Sequence, residues 1–114
     1  MHELSVTEGI LNAVLKELPD DGPCRVAVIN LALGGLCGIV PECVQEYFDL
    51  LSEDTPAHGA KLNFRLLPAM LRCRGCGREF QMEHMRLRCP ACSGQSVEII
   101  QGKEFYLESI EIET

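Results

Sequence analysis

Four cysteines at a fixed spacing constrain this chain more than anything else in it. Cys73, Cys76, Cys89 and Cys92 read C-x2-C-x12-C-x2-C, two knuckles whose separation lets four thiolates converge on one tetrahedron. That is the ligand set of a closed structural zinc site. The flanks suit tight knuckles: Gly75 and Gly77 lie in and just after the first, where the backbone turns sharply and can need positive φ, and Pro90 stiffens the second. A pair of disulfides is the competing reading. It fits poorly with a chain whose N-terminus has no basic n-region and whose apolar residues are interrupted by Glu3 and Glu8, unlike a secretion signal.

A chain of 114 residues, 46% hydrophobic, can bury one real core and carry a small metal-stapled module besides. No apolar run is long enough to span a membrane. Seven cysteines without a secretion signal imply a reducing compartment, so a cytoplasmic location is expected, and Cys24, Cys37 and Cys43 read as small core hydrophobes. The net charge of −7 is uneven. Residues 72–92 hold five arginines against two glutamates, a local +3, while the remainder carries five basic and fifteen acidic groups, −10. So acidic a body repels phosphate backbones, and four thiolates with Zn²⁺ would nearly neutralise the basic segment, so no nucleic-acid partner is expected.

Ser5 and Glu8 have capping-box spacing, and Leu4, Leu11, Leu15 and Leu18, with Ile10 and Val14, fall on one helical face until Pro19-Asp20-Asp21-Gly22-Pro23 stops it. Cys24–Leu33 reads as a buried strand closed by Gly34-Gly35. Pro41 opens a second helix carrying Val44, Phe48 and Leu51, running to about Ser52, and residues 55–60 read as loop. Leu62, Phe64 and Leu66 alternate with polar residues in a second strand that leads into the cysteines. After them come a short strand at Val97–Ile100, a turn at Gly102 and a last strand, Phe105–Glu113. The apolar parity of that strand changes between Leu107 and Ile110, which predicts a bulge. The expected fold is a small α/β (α+β) layer, a mixed three-stranded sheet with two helices. A four-cysteine zinc ribbon at 72–96 is inserted into a body formed by 1–71 and 97–114.

The other chemically informative segment is Met1-His2-Glu3. A free α-amine, the deprotonated amide of His2 and its imidazole can lie in one plane and close two fused rings on one ion, a nitrogen set suited to Ni²⁺ or Cu²⁺. A fourth donor is left open: the Glu3 amide, its carboxylate, or a histidine from elsewhere. The positive end of a helix dipole opposes a cation there, and Glu3, Glu8 and an anionic amide would offset it. Taken alone, so short a motif is more often an ordinary exposed histidine at a frayed terminus.

The whole pattern is more specific. Met-His-Glu-Leu-Ser at 1–5, Pro41-Glu42 after a Gly-rich turn, Gly59-Ala60-x-Leu62, the four cysteines, Gly102-Lys103-Glu104-Phe105 and Ser109-Ile110-Glu111-Ile112 occur in that order. Together they resemble the HypA/HybF family of nickel metallochaperones over essentially the whole chain. The resemblance implies insertion of nickel into [NiFe]-hydrogenase and, in some organisms, urease. It implies His2 as nickel ligand with the Met1 amine and the Glu3 backbone beside it, and Cys73, Cys76, Cys89 and Cys92 as zinc ligands. It also implies a nickel-handling GTPase and the hydrogenase large-subunit precursor as partners, with a monomer or weak homodimer as the expected state. Two positions depart from the family pattern: Ser93 follows the fourth cysteine where glycine is usual, and His58 stands where glutamate is usual.

His84, in the loop between the knuckles, reads as solvated or as an extra nickel donor, and His58 as a surface residue. Met82 and Met85 read as packing for the ribbon beside Phe80. The alternative function is a zinc-ribbon adaptor that binds a protein or nucleic acid through its arginines. Catalysis is not expected, because four cysteines leave no open coordination position and no G-x-S-x-G, P-loop or H-E-x-x-H occurs.

Overall fold

A computed structural model describes residues 3–19, 23–83 and 86–113. Met1 and His2, two of the expected nickel ligands, lie outside the described residues, as do His84, Met85 and Asp20–Gly22.

Helix α1 (Glu3–Lys16) buries Thr7, Ile10, Leu11 and Val14, the i, i+3, i+4, i+7 stripe of an amphipathic helix. Leu4, expected on that face, is 43% exposed. Ser5 and Glu8 do not cap the helix: it is already formed at Glu3, so Ser5 lies within it, and the hydroxyl that bonds the first turn is that of Thr7, donating to the Glu3 carbonyl. Strand β1 (Arg25–Gly34) is followed by α2 (Pro41–Leu51), which has Pro41 in its first turn, where the missing N–H costs nothing. Gln45 of α2 accepts a hydrogen bond from the Leu62 N–H at 3.1 Å, tying the helix to the start of β2 (Lys61–Leu67).

The body is a mixed three-stranded sheet in the order β2-β1-β6, where β6 is Phe105–Glu113. β1 lies parallel to β2 and antiparallel to β6. Both helices pack on one face, over a core that includes Val14, Ile29, Leu31, Val44 and Phe48. The opposite face is polar: the Asn63 amide donates to Asn30, the Asn30 amide donates to Ser109, and Arg65 grips Glu108 through both carboxylate oxygens. The expected bulge is present. Asn30 pairs with Ser109 and Leu31 with Leu107, so Glu108 has no partner on β1 and its carboxylate meets Arg65 on the polar face.

A second, antiparallel sheet has the order β4-β3-β5, from β3 (Met70–Cys73), β4 (Glu79–Gln81) and β5 (Val97–Gln101). The short strand after the cysteines, grouped with the body in the sequence, pairs with β3 in this sheet. The molecule is elongated, 59 × 23 × 16 Å with a radius of gyration of 18.0 Å, where a compact chain of this length has about 13 Å. Between the two sheets, residues 34–36 bond to both connecting segments. The N–H groups of Gly34, Gly35 and Leu36 donate to the carbonyls of Glu104, Leu67 and Gly102 at 2.7, 3.0 and 2.7 Å. Glycine is required at position 34, since a Cβ there would lie 2.2 Å from the Gly102 oxygen.

Candidate metal centre

The four cysteines come from two knuckles built alike. β3 delivers Cys73, and its chain turns so that the Gly77 N–H returns to the Cys73 carbonyl at 2.8 Å while the Cys73 N–H donates to the Arg78 carbonyl at 2.9 Å. In the second knuckle the Ser93 N–H returns to the Cys89 carbonyl at 2.9 Å and the Cys89 N–H donates to the Gly94 carbonyl at 2.9 Å. Each turn needs a left-handed residue at its fifth position: Gly77 has φ +78° and Ser93 φ +61°. The departure at Ser93 therefore keeps the backbone shape that glycine would adopt without strain. Arg72 reinforces the sheet beneath, bridging Glu98 at 3.3 Å and Glu79 at 3.7 Å across β3, though all three side chains are exposed.

The sulfurs converge. Sγ of Cys73 and Cys92, and of Cys76 and Cys89, are each 3.6 Å apart, and all four lie within 4.8 Å of one another. A tetrahedral zinc with Zn–S bonds of about 2.3 Å has edges of about 3.8 Å, so the donor set and its span fit that ion. Among the described residues, no other group of three or more histidines, cysteines and acids could hold a metal. Cys73 and Cys89 are buried and Cys76 and Cys92 exposed.

The thiols do not ionise alike. The Cys76 backbone N–H, which donates to Cys73 Sγ at 3.4 Å, is the main cause that brings Cys73 down to about 6. Cys89 is lowered in the same way by the Cys92 N–H. At Cys76 and Cys92 backbone donors from Arg78 and Gly94 also pull down, but neighbouring sulfurs and burial outweigh them, and Cys92 is pushed up to about 11. Four negative charges this close cannot coexist without a cation, so two thiols give up protons readily and two resist.

Of the other sequence-derived site residues, Glu3 is the first described residue of α1 and half-buried, while its expected partners Met1 and His2 lie outside the described residues. His58 is exposed in its loop, as expected. Cys37 packs against the body core, while Cys24 and Cys43 are half-buried. No described helix is long and apolar enough to cross a membrane. Sequence reasoning did not find the joint at Gly34 and Gly102. The glycines were visible, but their contact joins segments far apart in the chain.

A small mixed-sheet body bearing a four-cysteine cluster that can hold a metal ion is the architecture of a metal-binding protein. The chain matches, over residues 1–112, the family described as hydrogenase/urease nickel incorporation metallochaperone, HypA. It is 43% identical to hydrogenase maturation factor HypA of Caldanaerobacter subterraneus subsp. tengcongensis, over 99% of this chain and 100% of that one. It is 42% identical to the same factor of Dehalococcoides mccartyi, over 99% and 95%. The fold agrees with two solution structures: the nickel metallochaperone HypA from Helicobacter pylori (TM-score 0.67, 20% identity, 97% of each chain) and a HypA protein (TM-score 0.71, 21% identity, 97% of this chain and 95% of that one). The chain belongs to the HypA family of nickel metallochaperones for hydrogenase maturation, and is a metallochaperone rather than an enzyme.

Proposed function

We propose that this chain takes up Ni(II) at its N-terminus and passes it to the hydrogenase large-subunit precursor, in company with a nickel-handling GTPase, in the cytoplasm. The Met1 amine, the His2 amide and the His2 imidazole chelate the cargo, and Glu3 supplies a further backbone donor. The observation that carries this reading is that the match to the nickel-incorporation family covers residues 1–112, the Met-His-Glu segment included. The donor chemistry supports it, since amine, amide and imidazole nitrogens in one plane suit Ni²⁺.

Cys73, Cys76, Cys89 and Cys92 are proposed to hold zinc. Bound there, zinc supplies charge and cross-linking: it makes four thiolates compatible at close range and joins the two knuckles. Thiolate and nitrogen donors keep the resident ion and the cargo apart. The zinc module is taken as residues 72–96 together with the rest of β3 and β5, which pair beneath the cysteines, and the remainder of 1–71 and 97–114 as the cargo-binding body.

Calorimetric nickel titration of three proteins tests the terminal chelate: one starting at Met1, one extended by a single residue, and His2→Ala. The extension converts the amine to an amide and removes a chelate ring while leaving His2 in place. Both variants should lose the high-affinity site and keep zinc. Unchanged binding in the extended protein would refute the chelate, and indifference to both changes would favour the adaptor.

A further inference from the structure

We infer that the groove between α1 and β6 is a docking site for an extended, basic segment of a partner protein, which adds to β6 as a fourth strand of the body sheet. The groove holds about 280 Å³. Ser5, Gly9 and Ala13 form one wall, at successive i+4 positions of α1, and Phe105 and Leu107 form the other.

Two features make this a strand site rather than a mere dent. β6 is an edge strand, so alternate backbone N–H and C=O groups face away from β1. The other edge, β2, has its Leu62 N–H taken by Gln45, whereas among the described residues no side-chain hydrogen bond ends on the β6 backbone. An added strand would also turn every second side chain towards α1, and α1 presents small residues there. Gly9 is exposed, and a Cβ built on it meets nothing within 4 Å. A peptide laid between a helix and an edge strand takes its affinity from the main chain and its selectivity from the side chains in the groove.

Charge decides the occupant. Outside residues 72–92 the chain carries a net −10. On β6, Glu108 and Glu113 are already held by Arg65 and Arg25, while among the described residues Glu111 of β6 and Glu8 of α1 make no ion pair. A second copy pairing through β6 would bring two such acidic bodies together, which is unfavourable. An extended segment with small apolar residues facing α1 and lysines or arginines facing out meets the groove and the acids at once.

The test uses the zinc-loaded protein, ¹⁵N-labelled, and an acetylated nine-residue peptide alternating valine and lysine, with a valine–glutamate peptide as control. The lysine peptide should shift the amides of residues 5–13 and 105–107 and slow hydrogen exchange along β6. Gly9→Leu should fold and hold zinc as the parent does, since the new side chain projects into open space and leucine is the better helix former. It should weaken peptide binding by about tenfold or more, because the groove is then filled. No shift at these residues, equal binding of the glutamate peptide, or binding indifferent to Gly9→Leu would overturn the inference. So would a concentration-dependent dimer, seen by sedimentation, that Gly9→Leu dissolves. His2→Ala should bind the peptide like the parent, so this inference and the nickel reading stand or fall separately.

Discussion

The two sheets of this molecule each have three strands and are held by different forces. In the body, Phe48, Ile29, Leu31, Val14, Val26 and Val44 are all essentially inaccessible to water, and burial of that order is sufficient to hold a small sheet under two helices. In the second sheet and its knuckles the fully buried side chains among the described residues are Leu71, Cys73 and Cys89, two of which belong to the four-cysteine cluster. Three short strands with one buried leucine do not make an independent core. The body is folded by what its side chains exclude, the ribbon by what they bind.

Removing the metal should therefore produce the largest difference between the regions. Structural zinc contributes on the order of 10–16 kcal/mol in isolated finger peptides, far more than Leu71 can offer. Chelation, or Cys76→Ser, should unfold residues 72–96 while the far-ultraviolet dichroism of α1 and α2 survives. Acid should do the same. With Cys76 and Cys92 pushed up and Cys73 near 6 in the metal-free cluster, binding must expel protons, so affinity falls as the pH falls. The fall steepens below about 6, where Cys73 holds its proton too. A body that melts together with the metal-free ribbon would break the comparison.

The reverse experiment is Phe48→Ala. Phe48 is fully buried beneath the sheet, and emptying its site should cost about 3–5 kcal/mol of body stability. Metal stoichiometry at the cysteines should stay at one, measured on protein that is still folded. Loss of the ribbon metal in step with the body would mean that the two regions form one cooperative unit.

The sequence revealed what is local. Two knuckles identify their own partners because spacing alone brings the thiols together, and the parity change after Leu107 marked the bulge at Glu108 because inward residues must alternate. It did not reveal what depends on distant pairing. Val97–Ile100 has the composition of any short strand, and only its backbone bonds to β3 assign it to the second sheet. Ser5 and Glu8 match a cap by spacing, yet the helix begins before them. Nor could the approach of Gly34 to Gly102 be read, since each looks like an ordinary turn glycine.

That approach gives the next effect. Gly34→Ala places a methyl group against the Gly102 carbonyl, at a joint where residues 34–36 hold both connecting segments. The backbone must shift, at a cost of about 1–3 kcal/mol. The orientation of the two regions should loosen while each keeps its own secondary structure. Residual dipolar couplings that fit one rigid body in the parent and two in the variant would show it. A variant that stays rigid would mean that the joint is not what fixes the regions.

The smallest effect lies inside the ribbon, between its two knuckles. They share the same returning hydrogen bonds and the same left-handed fifth position, occupied by Gly77 in one and Ser93 in the other. An L-residue in that conformation costs about 1–2 kcal/mol relative to glycine. Glycine returns part of the gain, about 0.5–1 kcal/mol, through the greater freedom of the unfolded chain. Ser93→Gly should therefore stabilise the ribbon by about 1 kcal/mol or less, and Gly77→Ser should destabilise it by a similar amount. Competition for zinc against a chelator reads both changes, since metal binding and ribbon folding are one equilibrium. The signs matter more than the sizes. If Ser93→Gly weakened zinc retention, the Ser93 hydroxyl would be making a contact that outweighs its backbone strain, and the two knuckles would not be equivalent.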